Sequence, residues 1–268
     1  MLFPKLIPTG TSYVRIPLSK RAAMRVILET VQRGSRYWIG GTVPIEKALA
    51  FAAKMAERYG TDATQAQRAY AKQQGRANTH LVMFPDGDAP QLRYWLLATP
   101  GNGAIHTHEK LLDTHQRREV LHWSDQYRLD HVQHPREHGG GRTWTWSLTD
   151  HRFGLLAASM DRYASGHGRP GERTDDLDAL VEAILRMPGY YGVRQQQLEL
   201  LRQGERLWGR SHSASVTYSW PQNVPYLDKR FVCYHQPEPL RLDVLVQLMR
   251  RKLELDDCKR SINDVWRI

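Results

Sequence analysis

The stretch THLVMFPDGDAPQLRYWLLA, residues 79–98, decides the fold because it predicts two strands joined by a short turn. Residues 79–84 and 91–98 are rich in aliphatic and aromatic side chains, whereas Pro85-Asp86-Gly87-Asp88 between them has the composition of a turn. Two strands connected in this way pair in antiparallel fashion. The sequence therefore predicts an antiparallel sheet built around this hairpin.

The segments before the hairpin predict a short strand and three helices. The strand is expected at residues 13–16, and Ser19 is the expected N-cap of the first helix. Apolar residues follow at helical spacing, namely Met24, Ile27, Leu28 and Val31. An aromatic segment at 36–39 leads to Pro44, which suits the first turn of a second helix, and a third helix is expected at 63–74.

Between the hairpin and residue 148 the sequence predicts mainly strands, and beyond residue 148 it predicts mainly helices. Residues 142–148 alternate polar and apolar side chains with the period of a half-buried strand, and the segments 119–123 and 126–132 are also strand-like. Helices are expected at 150–163, 177–185, 191–208 and 240–255, and short strands at 214–218 and 231–235. The glycine-rich stretch 164–171 is the expected linker between an N-terminal region, 1–163, and a second region, 172–268.

The composition favours a protein with a polyanionic partner. Lysine and arginine number 38 against 28 acidic residues, which gives a net charge of +10 and a pI near 9.7. Such an excess attracts nucleic acids, although a generally basic protein without this function would show it too. Two cysteines without CxxC spacing exclude a disulfide framework and favour the cytoplasm. No apolar run is long enough for a membrane span, so no membrane partner is expected.

Two groups of arginines are the expected RNA contacts. Residues 15–36 hold six basic residues and one acid, and the expected contacts there are Arg21, Arg25, Arg33 and Arg36, with Tyr37 and Trp38 as stacking residues. In the helix at 191–208, Arg202, Arg206 and Arg210 recur at intervals of four, and Arg194 is expected to extend this row. A salt-bridged helix surface is the alternative for the second group, because Glu199 and Glu205 are close in sequence.

Histidines are concentrated in one part of the chain, with seven between residues 106 and 138. Metal binding by His106, His108 and a residue such as His131, His134 or His138 is one interpretation, but no HExxH or Cys/His spacing supports it. General acid–base chemistry on RNA is the other. No Walker loop, dinucleotide-binding glycine pattern or GxSxG motif is present, so no cofactor is expected.

The order strand, basic helix, strand, helix, hairpin, followed by a second basic half, resembles the RNA-processing endoribonucleases of CRISPR systems, and most of all the type IV enzyme of that superfamily. The likeness also rests on chain length, on the Arg21 to Arg36 helix with its Tyr37-Trp38 exit, and on the helix from Arg194 to Arg210. It implies a ferredoxin-like (RRM-like) antiparallel sheet with packed helices and an arginine-rich helical insertion.

The resemblance also implies an activity, namely metal-independent cleavage of the repeat hairpin of precursor crRNA. The product stem-loop would stay bound, and other subunits of a CRISPR ribonucleoprotein complex would be further partners. Because no histidine occupies the first helix, arginines that stabilise the developing charge are the expected catalytic residues. Arg21, Arg36 and Arg241 are the candidates, with His106 and His108 in reserve.

Two other classes of function remain open at this level. The helices on either side of Met187-Pro188-Gly189 could form a helix-turn-helix pair in a DNA-binding protein of a plasmid or mobile element, with 191–208 as recognition helix. The chain could instead be a non-enzymatic assembly protein whose basic faces meet an acidic partner.

Overall fold

The protein is described by a computed structural model that covers residues 14–85, 87, 89–133, 140–165, 175–213, 215–227 and 231–265, with backbone alone for 175 and 254–265. This part of the chain is a mixed α+β structure with eight α-helices and two antiparallel sheets. The elements in chain order are α1 (Lys20–Gln32), β1 (Tyr37–Pro44), α2 (Ala48–Tyr59), α3 (Gln65–Gln73), β2 (Thr79–Pro85), β3 (Gln91–Ala98), α4 (Ala104–His108), β4 (Leu112–Asp113), β5 (His122–Trp123), β6 (Tyr127–Gln133), β7 (Arg142–Leu148), α5 (Asp150–Ala164), α6 (Asp175–Leu185), α7 (Tyr191–Ser211) and α8 (Leu242–Val265).

The chain forms two compact units, Met1–Glu119 with Val232–Ile268 (unit 1) and Val120–Phe231 (unit 2). This division differs from the expected regions 1–163 and 172–268. Strand β7 and helix α5 pack with α7, while α8 packs on α2. The expected linker 164–171 lies mostly outside the described residues, since only its first two residues are covered.

Unit 1 is built on a four-stranded antiparallel sheet with the order β2-β3-β1-β4. The predicted hairpin is confirmed as β2 and β3, in which Val82 pairs with Trp95. One face of the sheet packs on α2 and α8 through a core that includes Val43, Met83 and Leu92. Helix α1 packs against β2 and β3, so both faces of the sheet carry helices.

Helix α1 forms where the sequence predicts it. The Ser19 hydroxyl accepts a hydrogen bond from the Ala22 N–H (3.2 Å), which satisfies one of the free donors at the helix start. The expected apolar residues Met24, Ile27, Leu28 and Val31 are all buried.

The predicted strand at 13–16 is not a member of the sheet. Tyr13 lies outside the described residues, and Arg15 makes one isolated bridge to Arg241. The Ile16 N–H donates to the carbonyl of Leu240 at 2.8 Å, so this short segment pairs with the residues just before α8.

Unit 2 combines the antiparallel sheet β5-β6-β7 with α5, α6 and α7. Helix α7 lies so close to β7 that a Cβ atom at Gly192 would fall 2.7 Å from the carbonyl oxygen of Trp146. The strands expected at 214–218 and 231–235 are absent from the described residues of those segments. The Val216 carbonyl instead accepts a hydrogen bond from the indole N–H of Trp208 on α7 (3.0 Å).

Candidate nucleic-acid interface

A cavity of about 1080 Å³ in unit 1, here named the basic cavity, gathers positive charge from separate parts of the sequence. Its walls come from the end of α1, from α3, from the loops around residues 75 and 100, and from β2. Five cationic side chains line it, Arg15, Arg33, Arg68, Lys72 and Arg76. No carboxylate is among the described residues of the lining. The charged side chains that line the cavity are therefore all positive.

The ends of two helices do not cancel this charge. Helix α1 ends at Gln32 and α3 at Gln73, both beside the cavity, and each C-terminus contributes about half a negative charge. Glu29 pairs with Arg33 at 3.2 Å but also with Arg25 at 2.8 Å, so one carboxylate serves two arginines. Asp62 also acts electrostatically on Arg68, but the five cations still outnumber these compensating charges, so a positive surplus remains.

Arg68 is held in place by its neighbours. Its Nε–H donates to the Ala63 carbonyl at 2.8 Å and an Nη2–H donates to the Thr61 carbonyl at 2.9 Å. Its Nη1 contacts both ring nitrogens of His80, at 2.7 Å for Nε2. The guanidinium is thus fixed before any ligand binds, which avoids part of the ordering cost of binding.

His80 is a neutral group among cations. Burial lowers the pKa of His80 from 6.5 to about 4, and the charges of Arg68 and Arg33 act in the same direction. At neutral pH the ring is therefore uncharged and can accept a hydrogen bond from Arg68. An anion in the basic cavity would oppose the effect of the arginines and raise the pKa of His80.

Of the expected contacts on α1, only Arg33 reaches the basic cavity. Arg21 is exposed in the first turn, and a 13-residue helix is about 20 Å long, so Arg21 and Arg33 lie at opposite ends. Arg25 is half-buried in its ion pair with Glu29.

Arg36, a candidate catalytic residue, is held in place by an ion pair with Asp113. Its Nε–H and an Nη2–H donate to the two oxygens of Asp113 at 2.9 and 2.6 Å. The Asp113 side chain is only 8% exposed, whereas that of Arg36 is 42% exposed. The hydrogen bonds from Arg36, with a further one from the His115 N–H, lower the pKa of Asp113 to about 2. Arg36 is thus rigid and still accessible.

Arg241, Tyr37 and Trp38 also take part in local contacts. Arg241 donates to both carboxylate oxygens of Asp243, at 3.0 and 2.8 Å. The Trp38 indole donates to the Glu119 carbonyl at 2.8 Å. Tyr37 meets the ring of His106 edge-on, with 5.0 Å between centroids. Both aromatic residues are half-buried, which favours a packing role over base stacking.

The described histidines of the cluster are not arranged to bind a metal ion. His106 Nε2 lies 2.9 Å from the Thr99 carbonyl, and His108 is exposed at the end of α4. His134 and His138 lie outside the described residues. Among the residues that are described, no group of three or more histidine, cysteine, aspartate or glutamate side chains is placed to hold a metal ion.

Helix α7 presents part of the predicted arginine row. Arg202, Arg206 and Arg210 are exposed, and Glu199 lines the same shallow depression as the first two. Arg194 does not extend the row, because it is 7% exposed and donates to the Val224 carbonyl at 3.1 and 3.3 Å. Eight residues at about 100° each leave Arg194 roughly 80° away from Arg202 around the helix, on the buried face.

The first residues of α7 are too buried for α7 to serve as a DNA recognition helix. Such a helix reads bases with its N-terminal residues. Here Tyr190, Gly192, Val193 and Arg194 are all buried. The helix-turn-helix interpretation therefore gains no support from the geometry.

Comparison with known proteins adds no assignment: no family model, curated protein or solved structure matches the chain. None of the helices that the structure describes combines the length and apolar character required to cross a membrane.

Arg15 of the basic cavity lay in the predicted basic segment without being a predicted contact, and Arg68, Lys72, Arg76 and His80 lay outside every predicted site. A local signal was present, because Arg68, Lys72 and Arg76 recur at intervals of four and residues 63–85 contain no acid. The position of His80 beside them follows only from the fold, since β2 returns past α3.

Proposed function

We propose that the protein binds a structured RNA through the basic cavity and cleaves it without a metal ion, as the endoribonucleases that process crRNA do. The observation that carries the proposal is the gathering of five cations, without a lining carboxylate among the described residues, around a cavity of about 1080 Å³. Phosphate groups are the ligands that such a set of guanidinium and ammonium groups fits best.

The topology of unit 1 supports RNA as the polyanion. The elements β1, α2 with α3, β2, β3, α4 and β4 follow the βαββαβ order of ferredoxin-like domains, and the sheet order β2-β3-β1-β4 agrees with that fold. We therefore propose that unit 1 is ferredoxin-like, a class that includes many RNA-binding domains. Because α1 covers the second face of the sheet, the phosphate contacts are assigned to the cavity and not to an open sheet surface.

Cleavage in this proposal uses the 2′-hydroxyl of the RNA as nucleophile. It attacks the adjacent phosphorus to form a 2′,3′-cyclic phosphate and gives its proton to water, while the 5′-oxygen of the next nucleotide leaves and takes up a proton from water as a 5′-hydroxyl. Arg36 is the best candidate to stabilise the charge that develops on the phosphate oxygens. Two of its five N–H donors are directed to Asp113, and the remaining donors can face the RNA. Arg21 and Arg241 stay candidates for the same role.

The exposed arginines of α7 provide a second contact, on unit 2. Arg202, Arg206 and Arg210 span about 12 Å along the helix, a length suited to several successive phosphates. In the proposed pathway the crRNA stem-loop remains bound after cleavage, and the complex joins other subunits of a CRISPR ribonucleoprotein.

The proposal is tested by fluorescence anisotropy with a repeat-derived RNA stem-loop, and by cleavage of the same RNA in EDTA. Lys72→Glu reverses a charge in the basic cavity, and Lys54→Glu makes the same change at an exposed position on α2 that does not line it. We expect a large loss of affinity for Lys72→Glu and a small one for Lys54→Glu. Equal losses in the two variants would refute the assignment of the cavity.

A further inference from the structure

A second cavity, of about 420 Å³, borders the basic cavity in unit 1. It is named here the side cavity, and its lining includes Arg58, Asp62, Gln67, Tyr70, Arg76 and Asn102. Arg76 and Asn78 line both cavities, so the two spaces meet at the segment that follows α3. A ligand with a charged part and a flat polar part could occupy both.

Tyr70 gives the side cavity an aromatic surface. The residue is 57% exposed on α3, where a solvent-facing aromatic ring contributes nothing to the core. The guanidinium carbon of Arg76 lies 5.6 Å from the ring centroid, within the range of a cation–π contact. An exposed ring beside an arginine is a surface on which an unpaired nucleobase stacks.

The segment shared by the two cavities is preformed. The Ala77 N–H donates to the Asn102 carbonyl, and the Asn102 N–H donates to the Gly75 carbonyl, both at 2.9 Å. Gly101 has φ +135°, and a Cβ atom there would lie 2.7 Å from the Gly75 carbonyl oxygen. Only glycine fits this close approach of the two loops. The position of Arg76 between the cavities is therefore built into the backbone.

We propose that the side cavity binds an unpaired nucleobase of the RNA whose phosphate lies in the basic cavity. The base stacks on Tyr70, and its polar edge faces the side chains of Asp62, Gln67 and Asn102, which offer both acceptors and donors. This inference rests on the proposed RNA binding and adds a substrate feature to it. The preferred RNA has single-stranded nucleotides beside its stem.

The test compares three RNAs that share one stem-loop. The first is blunt, the second carries a short single-stranded extension, and the third carries an extension of abasic nucleotides with the same number of phosphates. Extensions at the 5′ and 3′ ends are tested separately. Because the second and third RNAs have equal charge, their difference in affinity reports the bases alone.

We expect the wild-type protein to bind the extended RNA about 5- to 100-fold more tightly than its abasic counterpart, for an extension at one of the two ends. Tyr70→Ala should remove this preference, and Tyr70→Phe should retain it because the ring remains. Equal affinity of the wild type for both extended RNAs at both ends would overturn the inference, as would a preference that survives in Tyr70→Ala. Failure of the wild type to bind even the blunt stem-loop would instead overturn the proposed function.

Discussion

The burial of His80 predicts how the free energy of unfolding depends on pH. The folded protein holds the pKa of His80 at about 4 by burial and by the charges of Arg68 and Arg33, whereas the unfolded chain restores a value near 6.5. Between these values the unfolded state binds more protons than the folded state. The free energy of unfolding therefore falls as the pH falls through 6.5, and this loss levels off below about pH 4.

The size of the effect follows from the two pKa values. Over the whole interval His80 removes about 3 kcal/mol of stability, and about 2 kcal/mol of this is already lost at pH 5. Asp113 does not interfere in this range, because its pKa in the folded state is about 2 and its stabilising contribution is lost only at lower pH.

Urea unfolding at pH 8 and pH 5 measures this contribution. His80→Gln keeps an acceptor for Arg68 but cannot take up a proton, so its stability should fall by about 2 kcal/mol less than that of the wild type between the two pH values. His108→Gln, at an exposed position, should follow the wild type. If His80→Gln and the wild type show the same pH dependence, the description of His80 as a buried neutral group is wrong.

Three further predictions concern individual side chains. Gly192→Ala should lower stability by about 1 to 3 kcal/mol because a Cβ would meet β7. Gly209→Ala on the same helix has open space and should stabilise the protein by up to about 1 kcal/mol. Urea unfolding measures both variants, and equal effects would contradict the packing of α7 on β7. Arg194→Ala should cost about 2 kcal/mol of stability because its buried hydrogen bonds are lost. Arg206→Ala should leave stability unchanged and weaken RNA binding. The opposite result would show that Arg194 is an exposed RNA contact and Arg206 is not. Arg36→Ala should slow single-turnover cleavage at saturating protein by about 10²- to 10³-fold in EDTA, and a wild-type rate would make Arg36 a binding residue only.

The sequence predicted those parts of the fold that depend on local signals. The Ser19 cap, the apolar residues of α1 and the antiparallel pairing of β2 with β3 are each specified by residues close in sequence, and all are confirmed. Strand-like composition at 214–218 and 231–235 was misleading, because nothing local to those residues shows whether a partner strand is available.

The basic cavity as a whole could not be predicted, because Arg15 and Arg33 come from other segments than the neighbouring Arg68, Lys72 and Arg76. Arg15 precedes α1 and Arg76 follows α3, and only the fold brings them to the same cavity. The clustering of arginines before residue 36 was visible, but it did not indicate which of them pair with Glu29 or Asp113. The error at Arg194 has a related cause, since spacing describes a helix face but not its burial.

The salt dependence of RNA binding tests the central claim most directly. Affinity for a repeat-derived stem-loop, measured across a series of salt concentrations, should fall steeply for the wild type, by several units of log K per unit of log salt. Lys72→Ala removes one phosphate contact in the basic cavity, so its slope should be smaller by about 0.7 to 0.9, whereas Lys54→Ala should keep the wild-type slope. An affinity that does not change with salt, or identical slopes in all three proteins, would contradict RNA binding through the basic cavity.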